Sequence, residues 1–241
     1  MSKLIISGYG KMGKEIEKEA LNKGWQILAK IDNGKQWKEN EKVLAQADVI
    51  IDFSTPGTVL ENIGRAFELG IPMVVGTTGW YEHLESIKKE CEQRGAALVY
   101  GSNFSIGMNI FFEINKELAR LMNDYEDYDV SIKEIHHTAK LDSPSGTAIS
   151  LAGQIIAGLE RKATFVNEAT AEKGVLGIVS ERIKDVPGTH IVKYQSDIDE
   201  IEIKHTAKNR RGFARGALLA AQMIKGKKGF FEFNELLFNK V

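Results

Sequence analysis

Gly8-Tyr9-Gly10-Lys11-Met12-Gly13 stands between the apolar run Leu4 to Ser7 and the helical spacing of Met12, Ile16 and Ala20. The run reads as a strand and the spacing as one face of a helix that Gly24 ends. A G-x-G-x-x-G turn at such a junction brings backbone amides close to a pyrophosphate at the positive end of a helix. Gly8, Tyr9, Gly10, Lys11, Met12 and Gly13 are therefore the candidate phosphate cradle. Asp32, at the end of the next strand (Gln26 to Ile31), stands where a carboxylate accepts the ribose hydroxyls of NAD.

The same rhythm continues outward. Val49-Ile50-Ile51 has the unbroken apolarity of a strand covered on both faces. Val59, Ile63, Ala66 and Phe67 mark a helix closed by Gly70, and Met73 to Val75, a helix around Leu84 to Glu92 and Ala97 to Tyr100 follow. Repeated strand-helix-strand units imply a parallel sheet with right-handed crossovers. Two loops should share its carboxyl edge with the glycine turn. They are Gly76-Thr77-Thr78-Gly79 and Gly101-Ser102-Asn103-Phe104, whose small residues would let backbone reach a nicotinamide and its ribose.

After about residue 105 the pattern changes. A long helix (Met108 to Met122), a strand (Val130 to Ile135) and a helix (Thr147 to Leu159) precede three alternating strands near Ile178 to Ile183, Ile191 to Gln195 and Ile201 to Thr206. Strands without intervening helices imply a mixed or antiparallel sheet. The expected fold is α/β: a Rossmann-type domain of residues 1–104 and 212–241, plus an α+β substrate and oligomerisation domain of residues 105–211. Gly216 to Ile224 reads as a helix, and the aromatic tail Phe230 to Phe238 as packed chain.

The 241 residues suffice to bury the cores of two modest domains. A net charge of −1 gives no general attraction to nucleic acid or an acidic membrane, so an anion must be held by a local site. Lys208, Arg210 and Arg211 cluster without interleaved aromatics and read as a solvated or substrate-facing loop. One cysteine, Cys91, excludes an internal disulfide, and its spacing with Leu84 and Ile87 makes it a packing residue. One cysteine and five scattered histidines give no structural zinc set, so no metal is expected. His83, His190 and His205 read as surface or core histidines. Leu4-Ile5-Ile6 is too short for a signal peptide, and no stretch approaches the roughly 18 apolar residues of a membrane span. A cytoplasmic protein without membrane or nucleic-acid partners is expected.

The densest chemistry lies in the run from Glu134 to Ala148. A strand delivers His136, His137 and Lys140 into a loop, and a helix starts at Ser145-Gly146-Thr147. Imidazole exchanges protons near neutrality, and ammonium pairs with a carboxylate or gives a proton. The hydroxyls and amides of Ser145, Gly146 and Thr147 suit a second carboxylate. Neighbouring His136 and His137 point apart on a strand and so have separate roles. A different small-substrate dehydrogenase, such as an amino-acid dehydrogenase, or a non-catalytic NAD sensor would also use the glycine turn and Asp32. Neither uses the His136 to Thr147 run.

That run, from Glu134-Ile135-His136-His137 through Lys140 to Asp142-Ser143-Pro144-Ser145-Gly146-Thr147-Ala148, resembles the signature of the dihydrodipicolinate reductase family. Asp52-Phe53-Ser54, Gly76-Thr77-Thr78-Gly79, Asn103-Phe104-Ser105-Ile106-Gly107 and Phe213-Ala214-Arg215-Gly216-Ala217 extend the likeness over nearly the whole chain. The resemblance implies NAD(P)H-dependent reduction of a cyclic unsaturated dicarboxylate in bacterial diaminopimelate and lysine biosynthesis, by a homotetramer assembled through its second domain. It implies His136 as the acid-base residue, Lys140 as proton donor, and His137, Gly146 and Thr147 as substrate contacts. Departures concern the cofactor. The family's glycine loop commonly begins one position earlier, where Ser7 stands, and Asn33 to Ala47 is short. Asn33 occupies a place where members favouring NADPH often have arginine. With Asp32 present, NADH is expected to serve at least as well as NADPH.

Overall fold

The computed structural model describes residues 1–238. The chain divides into two compact units, residues 1–105 with 210–241 and residues 106–209. The expected boundaries, after 104 and after 211, shift slightly. Arg211 opens a helix of the first unit and its guanidinium pairs with Glu19 there, so it belongs with that unit.

The first unit alternates as the sequence implies. Its elements are β1 (Lys3–Ser7), α1 (Lys11–Asn22), β2 (Gln26–Ile31), α2 (Gly34–Glu39), α3 (Glu41–Leu44), β3 (Val49–Asp52), α4 (Pro56–Leu69), β4 (Met73–Val75), α5 (Leu84–Arg94) and β5 (Ala97–Tyr100). Pro56 sits in the first turn of α4, where a missing amide costs nothing, and Gly70 ends the helix in the left-handed conformation. Gly95 ends α5 the same way. β1, β3 and β4 are nearly all apolar because both sheet faces are covered. One face packs Ile6, Ile16, Val99, Ala217 and Leu218, and the other packs Ile5, Ile50, Val59, Ile63, Leu98 and Cys91.

The second unit comprises α6 (Ile106–Met122), β6 (Asp129–His136), α7 (Gly146–Gly158), β7 (Thr164–Val166), β8 (Val175–Arg182), β9 (Gly188–Gln195) and β10 (Glu200–Ala207). The chain then returns to the first unit with α8 (Arg211–Met223), β11 (Gly229–Glu232) and α9 (Phe233–Leu237). Among the described residues the first sheet has six parallel strands in the order β11-β5-β4-β3-β1-β2. The aromatic tail therefore supplies a strand. The chain leaves β1 to one side for β2 and to the other for β3, which makes the end of β1 the switch point at which open α/β sheets bind ligands.

The second sheet, β10-β9-β6-β8-β7, is mixed: β6 runs parallel to β8 and antiparallel to β9. α6 and α7 bury Met108, Phe112, Leu151 and Ile155 against Ile132, Ile178, Val192 and Tyr194 of that sheet. Among the described residues no helix is long and apolar enough to cross a membrane. Cys91 is fully buried, and burial pushes its thiol up to about 11, as a packing residue requires.

Candidate active site

Steric contacts fix the glycine turn at the switch point. Gly8 takes φ +83°, and a Cβ there would lie 2.3 Å from the Phe53 carbonyl oxygen. A Cβ on Gly13 would lie 2.3 Å from the Gly8 carbonyl oxygen, so α1 rests directly on the turn. Gly10 differs: its Cβ position meets no atom within 4 Å, and it caps α1 without a side-chain hydrogen bond. Close packing behind the loop and open space before its amides fit a dinucleotide pyrophosphate. Asp32 accepts a hydrogen bond from the Tyr9 amide, which ties the end of β2 to the loop. The Tyr9 hydroxyl folds back onto Glu17 and Lys30.

Asp52, fully buried at the end of β3, knots the rest of this edge together. It accepts hydrogen bonds from the hydroxyls of Ser7 (2.6 Å), Ser54 (2.8 Å) and Thr77 (2.6 Å) and from the Asn62 amide (3.0 Å). Ser7, directly before the glycine turn, thus donates to this carboxylate. Gly76 is required because a Cβ would lie 2.2 Å from the Phe53 ring. Phe104 is 1% exposed and packs edge-on against Phe53 and tilted against Phe233, so its side chain is withheld from a ligand. Gly101 packs on the same aromatic group, Asn103 accepts from the Ser105 amide, and Thr78 and Ser102 are exposed.

In the second unit, β6 and α7 hold the histidine-lysine loop through Glu134. This fully buried carboxylate accepts the Ser145 amide (3.0 Å), the Ser145 hydroxyl and the Ser180 hydroxyl (2.9 Å). Burial alone would raise its pKa, but hydrogen bonds from His190, Ser145 and Ser180 hold it well below the usual carboxylate range. Ser145 is 2% exposed and also caps α7 by accepting from the Ala148 amide at 3.2 Å. Its hydroxyl is thereby committed to organising the loop.

His136 Nδ1 lies 3.5 Å from Glu134 Oε2, and its ring packs edge-on against His190 at 5.0 Å. Burial, then the neighbouring His190, push the imidazole down to about 4, so it is neutral at pH 7. A Cβ on Gly188 would stand 3.1 Å from His136 Nε2, so glycine at 188 keeps that nitrogen from being covered. His137, just past the end of β6, is half-buried, whereas His136 is buried. Lys140 pairs with Asp142 at 2.8 Å, and Arg182 donates to the carbonyls of Lys140 (3.3 Å) and Asp142 (2.6 Å), which clips the loop to β8. Gly146 and Thr147 form the first turn of α7, and a Cβ on Gly146 would meet no atom within 4 Å.

Glu134, His136 and His190 each bring a potential metal ligand within 4.8 Å of the others. Both oxygens of Glu134 already accept hydrogen bonds, and the Arg182 guanidinium lies 3.5 Å away. That pattern suits a hydrogen-bonded carboxylate and disfavours an added cation.

Both halves of the chain match family models: residues 2–104 match the dihydrodipicolinate reductase N-terminus and residues 107–237 its C-terminus. The chain belongs to the dihydrodipicolinate reductase family. A protein of Christiangramia forsetii named 4-hydroxy-tetrahydrodipicolinate reductase is 44% identical over 235 residues, 97% of each chain. One of the same name from Ralstonia pickettii is 37% identical over 203 residues, 80% of this chain and 75% of its own. Among solved structures, the dipicolinate-bound dihydrodipicolinate reductase of Paenisporosarcina sp. TG-14 has a TM-score of 0.76 at 23% identity, covering 98% of this chain and 99% of that one. An amine dehydrogenase from Mycobacterium smegmatis shares the fold at a TM-score of 0.63 and 10% identity, covering 97% of this chain and 95% of its own. Membership of this reductase family makes the chain an NAD(P)H-dependent oxidoreductase, with a pyridine-nucleotide domain as its first unit.

Residue patterns alone gave Glu134, Asp52 and His190 no role. Strand alternation puts Glu134 on the His136 side of β6, a signal that was available; the Asp52 and His190 contacts depend on strand order and lie beyond any local pattern.

Proposed function

We propose that this chain catalyses the reaction its relatives are named for, reduction of 4-hydroxy-tetrahydrodipicolinate to tetrahydrodipicolinate in diaminopimelate and lysine biosynthesis. The observation that carries the reading is the loop of β6 and α7, where a buried neutral imidazole, an ammonium and an open helix start share one short segment. A bound NAD(P)H supplies hydride. Gly8 to Gly13 hold its pyrophosphate, Asp32 its ribose, and the backbone of Gly76 to Thr78 and Gly101 to Phe104 its nicotinamide end. With Asp32 present and Asn33 beside it, NADH serves at least as well as NADPH.

The substrate carries two carboxylates. Gly146 and Thr147 take one through amides at the α7 N-terminus, and His137 and Lys140 face the other. Dipicolinate in the Paenisporosarcina structure belongs to the same class of cyclic dicarboxylate. The 4-hydroxyl and a neighbouring ring proton first leave as water, which gives the conjugated ring. Hydride arriving at the carbon that lost the hydroxyl then leaves negative charge on the conjugated system, and the Lys140 ammonium stabilises it and gives a proton to the adjacent carbon. A dianionic substrate near His136 raises the proton affinity of its imidazole, so His136 takes part in acid-base exchange only in the loaded site. The enzyme works in the cytoplasm as a homotetramer joined through its second unit.

Purified protein given NADH and freshly generated dihydrodipicolinate synthase product is expected to consume NADH at 340 nm. His136→Gln and Lys140→Ala are each expected to lower kcat about a hundredfold or more while NADH still binds. Wild-type turnover in both variants would remove these roles.

A further inference from the structure

Beyond the phosphate loop, the ends of β1 and β2 border a cleft lined by Asp32, Asn33, Gly34, Ser54, Thr58 and Arg65. Arg65 enters it from α4, far along the chain from the β2 end. The guanidinium lies over Trp37, 5.5 Å from the ring centroid, and a Cβ on Gly34 would stand 3.3 Å from its Nη2. Glycine at 34 therefore leaves the cation uncovered, and among the described residues it pairs with Glu61, which is itself exposed. The side chain of Arg65 is 23% exposed, so water screens it only partly.

We infer that Arg65 is the residue that admits a 2′-phosphate, and so sets how far NADPH competes with NADH. The inference rests on the nucleotide reading of the first unit given above. Asp32 presents a carboxylate to ribose hydroxyls, which suits NADH and repels a phosphate. A guanidinium offers paired N–H donors that match phosphate geometry and keeps its charge at every working pH. Asn33 cannot supply that charge from the β2 end, and Lys35 is 83% exposed and paired with Glu39. The compensating cation thus comes from a different element of the fold, held by stacking on Trp37 and within reach of the residues that follow Asp32. Glu61 competes with the phosphate for the same guanidinium and moderates its pull, so the chain accepts both cofactors.

The test is equilibrium binding by calorimetry on the full-length protein, with NADPH, NADH, 2′,5′-ADP and 5′-ADP as separate ligands. Arg65→Leu is expected to weaken NADPH and 2′,5′-ADP by about tenfold or more, the scale of a lost charge-assisted pair, and NADH and 5′-ADP by less than about threefold. Arg65→Lys should recover part of the loss, and Glu61→Gln should tighten NADPH relative to NADH. Thermal unfolding of each variant reports whether the fold is kept. An equal loss for all four ligands would make Arg65 a platform for adenine or a packing residue and overturn the inference, as would unchanged NADPH binding. Wild-type protein that binds none of them would overturn the nucleotide reading itself, an outcome distinct from an unchanged NADPH to NADH ratio in Arg65→Leu.

Discussion

Position 134 holds a carboxylate with no exposed surface because everything around it donates. The Ser145 amide and hydroxyl and the Ser180 hydroxyl meet its two oxygens, and Arg182 lies 3.5 Å off. Glu134→Gln keeps the shape but turns one acceptor into a donor facing donors. That change is expected to cost about 2–4 kcal/mol, the scale for breaking a buried hydrogen-bonded charge. It also releases the Ser145 cap, so kcat should fall although the amide touches no reacting atom. Urea unfolding and steady-state kinetics read the two effects, and a variant with wild-type midpoint would show that the serines relax at no cost. The sequence quotes Glu134 in plain sight, but nothing local says that a loop residue and two other strands converge on it. His136 and Lys140 drew the proposal because acid-base side chains beside a helix start have few purely structural uses.

Elements of the first unit were legible where each strand is a short apolar run and each helix ends in a glycine such as Gly70 or Gly95. α2, β7 and β11 were not. α2 is six mostly polar residues, β7 is three residues at a sheet edge, and β11 becomes a strand only by pairing with β5. Glycines inside helices carry a similar ambiguity that only packing resolves. Gly216 in α8 has the Phe104 carbonyl oxygen 1.6 Å from its Cβ position, whereas Gly64 in α4 has no atom within 4 Å. Gly216→Ala must push α8 off that carbonyl and is expected to destabilise by about 2–3 kcal/mol. Gly64→Ala should stabilise by about 0.5–1 kcal/mol, since it only restricts the unfolded chain and improves helix propensity. Denaturant midpoints decide the matter, and equal signs for the two substitutions would contradict the contact geometry.

Across the whole molecule, buried groups with shifted proton affinities turn local packing into a pH response. Burial pushes the His136 imidazole down from an ordinary 6.5 to about 4, and burial also lowers His205. In the unfolded chain both regain their ordinary affinity, so for His136 between about pH 4 and 6.5, and for His205 below about pH 6.5, the unfolded state binds more protons than the folded one. Stability must then rise with pH across that window, by at most about 1.4 kcal/mol per pH unit for each group. Glu134 acts in the same direction at lower pH, because hydrogen bonds keep its carboxylate ionised in the fold after the unfolded chain has taken up a proton. Urea midpoints measured from pH 7 to pH 4 are therefore expected to fall steadily. His136→Gln removes one titrating group, so its midpoint should fall less steeply than that of the wild type between pH 6.5 and 4, whatever its stability at pH 7. Parallel slopes would mean that the His136 ring takes up its proton as readily inside the fold as outside. The neutral imidazole on which the acid-base assignment depends would then be lost.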